Sequence, residues 1–514
     1  MRSLLSDSAY RSELSQLGLL LLILFLGFGL RLSFATRVDL FVDEYTSILA
    51  MESVARRGLP ILPSGLVYSP KGLLHSYIGG AVVWAFGSSD FLIRFISVLA
   101  GVITICYGYR VGRDWFSPTV GVMTAAALAS LPTAVEWGAR IRPYALLQML
   151  CLIGGHLVIN GYVLDHERRA GIVGLLALAI SVFAHPLGLI MVGGLLAAII
   201  VLRLVSLPDK KKVHPSTVSA AIAGILLVVA AIFLNWRQGA WGVHGTLEST
   251  IRRALSLSGL QEIIIYSLMF THDFLTWPLW PLTLLYVLGL VTLVYRIVKR
   301  DLKSDGSIIL TLYTVTLSVW LLTSALSSGL YHHRYLFQIL PFYLLLAARE
   351  WQRQLDLILA SSNLYWVRFQ SILSAATVAA VSALLLPGAL RMVQQTRSGW
   401  EAAYGYIRDQ WRSGDALATC SPTPGYFILG KVDYYVTQHG EVSDDTDIWT
   451  GAPLVDTVED FTTMILNEDR VWFVIDGEWC WKQNLSPRFR GAVHEKMSLA
   501  YKQHGTLVFL SNTD

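Results

Sequence analysis

Long apolar stretches, separated by short polar segments, run through the first 390 residues of the chain. A helix needs roughly 20 apolar residues to cross the hydrocarbon core of a bilayer. On that scale the pattern predicts about eleven membrane spans, near residues 16–34, 90–109, 117–136, 143–163, 170–184, 186–205, 217–235, 277–298, 307–327, 331–348 and 370–390. The first span follows Arg2 and Arg11 without a convincing cleavage site, so we interpret it as a retained anchor.

Basic residues mark one side of the predicted bundle. Alternate loops carry Lys or Arg, at 110–113, 168–169, 203–212, 296–303 and 349–368, whereas the turn at His185-Pro186 carries neither. Cytoplasmic loops are enriched in Lys and Arg, so this alternation predicts a cytoplasmic N-terminus. The apolar stretch 72–88 would invert the order if it crossed the membrane. We therefore predict that it lies in the outer interface, as does a second helix in the long loop 236–276.

The composition changes after Pro387. Helical spacing over 400–411 and apolar runs at 415–420, 470–476 and 505–511 predict one helix and three strands. The fold class is therefore an all-α polytopic membrane bundle over 1–390, followed by a small extracytoplasmic α/β domain over 391–514. Cys420 and Cys480 of that domain either form a disulfide or remain free thiols.

Composition supports the membrane assignment. The chain has 514 residues, of which 54% are hydrophobic and 15% charged, and its mean hydropathy is +0.53. Soluble proteins carry about 25% charged residues, so a chain this apolar needs lipid as solvent. The small net charge of +4 argues against a nucleic-acid partner. No Gly-rich phosphate loop stands between a strand and a helix, which argues against ATP hydrolysis.

An acidic pair directly follows the first predicted span. Asp43 and Glu44 lie in RVDLFVDEYTSI, where carboxylates beside lipid are costly unless they are paired or functional. A carboxylate at the mouth of a membrane cavity can accept a proton from an attacking hydroxyl, but a solvated loop with a helix cap explains the pair equally well. Lys71, in YSPKGLLHSY, either binds a lipid phosphate at headgroup depth or only marks the interface.

Two outer arginines run against the charge bias. Arg140 and Arg142 lie in EWGARIRPYALL, on the predicted outer side. We expect them to face an anionic partner, which is either the acidic pair or a phosphate. An ion pair between Glu136 and Arg140, four residues apart, is the structural alternative.

The densest polar cluster begins a late span. His332, His333, Arg334 and Tyr335 lie in SGLYHHRYLFQ, and a guanidinium binds phosphate in fork geometry. The two adjacent histidines point in different directions on a helix, so they are a weak metal signal. His185 lies between two short spans, as either a helix cap or a catalytic group.

Taken together, these segments resemble the membrane glycosyltransferases of the GT-C superfamily, in particular the protein O-mannosyltransferases and the lipid A aminoarabinose transferases. The acidic pair and SPKGLL are similar to that family's aspartate-glutamate and lysine-proline-proline segments, although Gly72 follows Lys71 here. The resemblance implies sugar transfer from a polyprenyl-phosphate carrier to a protein, lipid or glycan acceptor. It implies that Asp43 is the catalytic carboxylate, that Lys71 binds the carrier phosphate, and that Arg334 and Tyr335 lie near it.

The residues themselves support an inverting transfer. We hypothesise that Asp43 is the general base and that Glu44 orients it or a neighbouring cation, while Lys71 and Arg334 clamp the phosphate. Arg142, with His332 or His333, would help to bind the phosphate. Further candidate contacts with the substrates are Arg140, Tyr144, His185, His332, His333 and Glu136. No metal ligand is predicted, and dependence on a divalent metal stays open. The expected partners are the polyprenyl-phosphate-sugar donor, the acceptor and membrane lipids.

Two other classes of protein fit the composition. A secondary transporter or flippase of a lipid-linked or anionic substrate is the main alternative. Transporters place ionisable residues near the bilayer midplane and often contain internal repeats, whereas these spans are nearly free of acidic residues and show no repeat. A scaffold that keeps the fold without activity is the third reading.

Overall fold

Helices make up most of the computed structural model, which describes residues 2–68, 72–164, 167–205, 256–276, 278–299, 305–326, 332–360, 366–394, 399–440, 442–477 and 479–512. In chain order the α-helices are α1 (Arg2–Arg37), α2 (Val42–Arg57), α3 (Leu73–Phe86), α4 (Asp90–Trp115), α5 (Pro118–Ser130), α6 (Pro132–Trp137), α7 (Tyr144–Val158), α8 (Arg168–Ala184), α9 (Leu187–Leu204), α10 (Leu257–Leu275), α11 (Trp280–Val298), α12 (Gly306–Leu326), α13 (Leu340–Ala360), α14 (Trp366–Gln394), α15 (Trp400–Gln410), α16 (Pro422–Leu429), α17 (Val458–Asn467) and α18 (Pro487–Lys496). Shorter helices are π-helices at Ile159–Val163 and Trp479–Asn484 and a 3-10 helix at His333–Ile339.

The chain forms two compact units. The first, here called the helical unit, comprises Met1–Thr36, Arg94–Ala139 and Pro143–Val393. The second, here called the mixed unit, comprises Arg37–Ile93, Arg140–Arg142 and Gln394–Asp514. The C-terminal segment therefore shares a compact unit with residues Arg37–Ile93. The division into domains at residues 390 and 391 stays a prediction.

Six helical segments among the described residues are long and apolar enough to cross a membrane. They are Gln16–Arg37, Asp90–Trp115, Tyr144–Val163, Trp280–Val298, Gly306–Ala325 and Ala375–Gln394. Each coincides with a predicted span, so these six predictions are confirmed by length and composition. The predicted span 217–235 lies outside the described residues. The total of eleven spans is not confirmed.

Proline interrupts two of the other predicted spans. Span 117–136 is divided into α5 and α6, because Leu131 is extended before Pro132. Span 331–348 opens with the 3-10 helix, and α13 starts only at Leu340. Pro341 lies in the first turn of α13, where its ring excludes a continuous α-helix from the preceding turn. A single α-helix therefore does not run through either of these two stretches. Helices α8 and α9, with 17 and 18 residues, are near the lower length limit of a span.

The two helices predicted in the outer loops are present in part. Helix α3 covers 14 residues, which is too short to cross a bilayer, and Trp84 and Phe86 at its C-terminal end are 78% and 73% exposed. Helix α10 covers Leu257–Leu275, and residues 236–255 lie outside the described part of the chain. Their location in the membrane interface stays a prediction.

A buried arginine closes the break between α5 and α6. The Arg31 side chain is 2% exposed. Its guanidinium donates to the carbonyl oxygens of Gly27 (3.0 Å), Leu128 (2.9 Å) and Ala134 (3.0 Å). Leu128 lies four residues before Pro132, which has no N–H to offer it. Arg31 therefore supplies the donor that the helix cannot.

A six-stranded sheet forms the centre of the mixed unit. Its strands are β1 (Asp415–Thr419), β2 (Tyr434–Val436), β5 (Leu454–Val455), β6 (Arg470–Asp476), β7 (Met497–Gln503) and β8 (Thr506–Ser511), in the order β5-β2-β1-β6-β8-β7. The first four in that order are parallel to one another, and β8 runs antiparallel to both of its neighbours, β6 and β7. Strands β3 (Val442–Ser443) and β4 (Thr446–Asp447) form a separate hairpin. The predicted C-terminal helix and three strands, and hence the small α/β region, are confirmed.

Asp415 joins the central strands β1 and β6. Its carboxylate accepts hydrogen bonds from the Arg470 guanidinium (2.7 Å) and the Trp472 indole (2.8 Å). Burial acts to raise the pKa of Asp415, but these bonds and one from the Arg412 backbone N–H outweigh it. The pKa of this carboxyl in the folded protein is therefore lowered.

Helix α2 packs into the hydrophobic core of the mixed unit. Tyr45 and Ile48 of α2 belong to one buried cluster with Trp400 and Trp472. The Thr423 hydroxyl of α16 donates to the Val42 carbonyl at 3.3 Å. The helix that carries the acidic pair is thus held by the C-terminal segment.

A disulfide between Cys420 and Cys480 joins the end of β1 to the second π-helix. Of the two alternatives left open by the sequence, the structure has the disulfide. Both cysteines lie in the part of the chain predicted to be extracytoplasmic.

Candidate active site

The acidic pair opens helix α2. The backbone N–H of Phe41 donates to Glu44 Oε2 at 2.8 Å, as in a capping box. Carboxylates in a first turn also interact favourably with the positive end of the helix dipole. A helix cap is therefore present, but Glu44 is fully buried. The pair is not a simple solvated loop.

Glu44 anchors the segment 140–142. Its Oε1 accepts the backbone N–H of Ile141 at 2.7 Å, and its Oε2 accepts from Arg140 Nη1 at 3.1 Å. The Arg140 guanidinium also lies 5.1 Å from the centroid of the Phe41 ring. Both Glu44 oxygens are engaged, so this carboxylate fixes the loop that carries the two arginines.

Arg142 holds Asp43. Its Nη2 lies 3.4 Å from Asp43 Oδ2, and its Nη1 donates to the Asp43 carbonyl at 3.0 Å. Nη1 also lies within hydrogen-bond distance of Ser47 Oγ (3.2 Å) and Tyr68 Oη (3.0 Å). The Asp43 side chain is 33% exposed, whereas that of Arg142 is 7% exposed. Asp43 is thus the solvent-facing carboxylate of the pair, and the acidic pair is the anionic partner expected for the two outer arginines.

Tyr68 and His75 are site residues that the sequence reasoning missed. His75, on α3, is 1% exposed, and its Nε2 has no hydrogen-bond partner among the residues described. Burial lowers the pKa of His75 to about 3, with a further lowering by Arg142 and an opposing effect of Glu44. His75 is therefore neutral at physiological pH. The sequence signal for Tyr68 and His75 is their position on either side of SPKGLL, the segment that contains Lys71.

Arg334 lies among aromatic rings of the helical unit. The carbon atom of its guanidinium is 5.4 Å from the ring centroid of Trp137, 5.7 Å from that of Tyr144 and 5.5 Å from that of Tyr335. A guanidinium held through its face can present N–H groups at its edge to a phosphate. Trp137 is buried and was not among the predicted residues.

His333 is held as a neutral hydrogen-bond donor. Its Nε2 accepts from Trp137 Nε1 at 3.2 Å, and an indole N–H can only donate, so we assign the imidazole proton to Nδ1. The carboxylates of Glu136 and Asp273 and the Arg334 guanidinium interact electrostatically with His333.

His332 and His185 each accept a hydrogen bond from a nearby backbone N–H. His332 Nδ1 accepts the backbone N–H of Arg334 at 3.2 Å. His185 Nδ1 accepts the backbone N–H of Leu187 at 3.2 Å, and its ring centroid lies 5.2 Å from that of Tyr144. A helix cap, the structural alternative for His185, is what the structure has.

The predicted site residues fall into two groups. The mixed unit contains Asp43, Glu44, Arg140 and Arg142; the helical unit contains Glu136, Tyr144, His185, His332, His333, Arg334 and Tyr335. Lys71 lies outside the described residues. A single pocket shared by Asp43, Lys71 and Arg334 therefore stays a prediction. Among the described residues, no group of three or more His, Cys, Asp or Glu is arranged to hold a metal ion.

Comparisons with known proteins identify a matching family model and solved structures with a similar fold. The family model described as dolichyl-phosphate-mannose-protein mannosyltransferase matches residues 70–236. ArnT from Cupriavidus metallidurans, solved with bound undecaprenyl phosphate, is similar in structure with a TM-score of 0.57 at 14% identity, over 96% of this chain and 97% of that one. The chain has the fold of the GT-C glycosyltransferases.

A second GT-C structure gives the same result. The archaeal oligosaccharyltransferase AglB from Archaeoglobus fulgidus, in complex with an inhibitory peptide and a dolichol-phosphate, has a TM-score of 0.58 at 13% identity, over 97% of this chain and 74% of that one. A sequence search of curated proteins returns no significant match. The GT-C resemblance predicted from the acidic pair and SPKGLL is confirmed.

Proposed function

We propose that this protein transfers a sugar from a polyprenyl-phosphate-linked donor to an acceptor hydroxyl at the outer face of the membrane. The observation that carries the proposal is the arrangement of the acidic pair at the start of α2. Asp43 is partly exposed and held by Arg142, while Glu44 is buried and holds the arginine loop. Glu44 thus fixes the loop whose Arg142 holds Asp43, and the Asp43 carboxylate is left available for chemistry.

The comparisons support the donor class. ArnT was solved with undecaprenyl phosphate and AglB with a dolichol-phosphate, and the matching family model is named for a dolichyl-phosphate-mannose donor. All three names mention a long-chain polyprenyl phosphate. Such a carrier keeps its tail in lipid and its phosphate at the headgroup level, where the predicted outer residues lie.

The reaction needs one base. The acceptor oxygen attacks the anomeric carbon and forms the new glycosidic bond, while the bond from that carbon to the phosphate oxygen breaks. Asp43 takes the proton of the acceptor hydroxyl, and the phosphate leaves with the bonding electrons. A single displacement inverts the anomeric configuration. A phosphate leaving group needs little protonation, so no second catalytic acid is required.

The cations act on the leaving phosphate. Lys71 and Arg334, with Tyr335, stabilise the charge that develops there, and His333 adds a neutral N–H donor. The sequence assigns Arg142 to the same task, but its contacts with Asp43, Ser47 and Tyr68 favour a role in positioning the base. The remaining predicted contacts, namely Arg140, Tyr144, His185, His332 and Glu136, orient these groups or the substrates.

Orientation in the membrane is part of the proposal. The N-terminus is cytoplasmic, and the α/β region of residues 391–514 lies outside the cytoplasm. The disulfide between Cys420 and Cys480 supports the second assignment, because disulfides persist in oxidising compartments and are rare in the cytosol. The acceptor is a protein, a lipid or a growing glycan.

Donor turnover by purified protein tests the proposal. The protein in detergent is incubated with polyprenyl-phosphate-linked sugars and candidate acceptors, and release of free polyprenyl phosphate is measured. We expect release, with a raised donor KM in Lys71→Ala and Arg334→Ala and an unchanged donor KM in Arg56→Ala, whose exposed side chain pairs with Glu52. A donor that is moved intact across proteoliposomes, without release of phosphate, would instead favour the transporter alternative.

A further inference from the structure

A cavity between α11, α12 and α13 carries three arginines. It contains about 420 Å³ of empty space, part of which is open to solvent. Arg296, Arg349 and Arg353 line its polar side, and Leu293 and Leu346 line its apolar side. We call it the basic pocket.

Two of the arginines are paired and one is not. Arg353 donates to both oxygens of Glu350, at 2.8 and 2.7 Å. Arg349 donates twice to Asp305 Oδ2, at 3.2 and 2.7 Å. Arg296 makes no hydrogen bond or ion pair with the residues that the structure describes. Among the residues that the structure describes at the pocket, three guanidinium groups thus face two carboxylates.

The start of helix α12 adds to this positive potential. Gly306, the first residue of α12, lines the pocket, and a helix N-terminus carries a partial positive charge. A guanidinium that has no carboxylate partner among the described residues, placed beside a helix N-terminus, suits a ligand with a single negative charge. A phosphodiester has that charge, and a guanidinium binds its oxygens in fork geometry.

Helix α11, which forms one wall of the basic pocket, has exposed apolar side chains. Val294, Tyr295 and Val298 are 52%, 62% and 75% exposed, and they lie at the C-terminal end of the candidate span Trp280–Val298. Arg296 lies between them in the sequence. We therefore expect an anion that enters the pocket from the bilayer to carry apolar chains, as a lipid headgroup does.

We propose that the basic pocket binds the phosphodiester headgroup of an anionic membrane phospholipid. This site is separate from the proposed donor-phosphate site, because Arg334 precedes α13 whereas Arg349 lies ~13 Å along that helix from its first residue. The basic loops predict that the pocket is on the cytoplasmic side. Its occupant is then a structural lipid that ties α11, α12 and α13 together, and it is independent of sugar transfer.

Native mass spectrometry of the delipidated full-length protein tests this proposal. The protein is titrated in neutral detergent with phosphatidylglycerol, with phosphatidylcholine and with free glycerol phosphate. We expect retained phosphatidylglycerol and no comparable retention of the other two. Arg296→Gln should weaken phosphatidylglycerol binding by about tenfold, the loss of a charge-assisted contact, and Arg296→Lys should weaken it less.

A matched variant separates the pocket from general surface charge. Arg113→Gln removes a half-exposed arginine that pairs with Asp114 in another loop predicted to be cytoplasmic, and its binding should equal that of the unmodified protein. Equal retention of phosphatidylcholine, or an Arg296→Gln variant that binds phosphatidylglycerol as tightly as the unmodified protein, would overturn the proposal. Equally tight binding of glycerol phosphate would show a site for soluble anions in place of a lipid site.

Discussion

Replacement of Arg31 by methionine should destabilise the helical unit by about 1–3 kcal/mol, the usual penalty for one buried carbonyl left without a donor. Three carbonyl oxygens accept from this guanidinium at 3.0 Å or less. Ala134 O also accepts from the backbone N–H of Gly138. Leu128 O is different, because its helical partner would be Pro132, which has no N–H. The methionine also removes the free-energy cost of burying the Arg31 charge, and this offsets part of the loss of stability.

Chemical denaturation in detergent, followed by tryptophan fluorescence, measures this loss. Arg37→Met is the matched control, since Arg37 ends the same helix and is exposed; it should change stability by less than about 0.5 kcal/mol. Pro132→Ala restores an N–H that can reach Leu128 O, so it should recover part of the loss caused by Arg31→Met. If Arg31→Met costs the same with and without Pro132→Ala, the carbonyl explanation is wrong.

Three further predictions concern the mixed unit. Glu44→Gln should lower its stability by about 2–3 kcal/mol and reduce transfer, because Arg140 loses its ion pair; unchanged transfer would remove Glu44 from the support of the site. Replacement of Cys420 and Cys480 by serine should cost about 2–4 kcal/mol, and reductant should destabilise the unmodified protein but not this variant. The lowered pKa of Asp415 stabilises the fold above its unfolded pKa of about 4, and this contribution is lost as the pH falls through the folded value. Asp415→Asn should therefore reduce the difference in unfolding free energy between about pH 6 and about pH 3; an undiminished difference would assign the acid sensitivity to other groups.

The elements that were predicted correctly have strong local patterns. The C-terminal strands are short apolar runs bounded by polar residues, and six spans are long enough for hydropathy alone to define them. Where the helices differ from the hydropathy pattern, a single proline is the cause in each case. Pro132 and Pro341 each lie inside an apolar stretch, so hydropathy continues through them while the α-helix does not.

The candidate site was predictable in its residue types but less so in its contacts. Asp43 and Glu44 are adjacent in sequence, yet one is partly exposed and the other is buried. That difference arises because Glu44 accepts hydrogen bonds from a segment almost 100 residues away. Tyr68 meets Arg142 across 74 residues, and no periodic pattern records such a contact. Sequence reasoning therefore identifies the acidic pair and proposes its roles, but it does not predict the contacts that distinguish the two carboxylates.

The proposed catalysis depends on this division of roles within the acidic pair. If Asp43 is the base, its loss should stop the chemical step without affecting the donor. Glu52, two turns further along α2 and paired with Arg56, offers a matched carboxylate that has no assigned part in transfer.

The most direct test is the single-turnover rate of sugar transfer from pre-bound polyprenyl-phosphate-sugar in Asp43→Asn. Loss of a general base costs about 10²- to 10⁴-fold, so we expect a fall of that size, with the donor Kd within about twofold of the unmodified protein and with Glu52→Gln fully active. An Asp43→Asn variant that transfers sugar at the normal rate from bound donor would contradict the account.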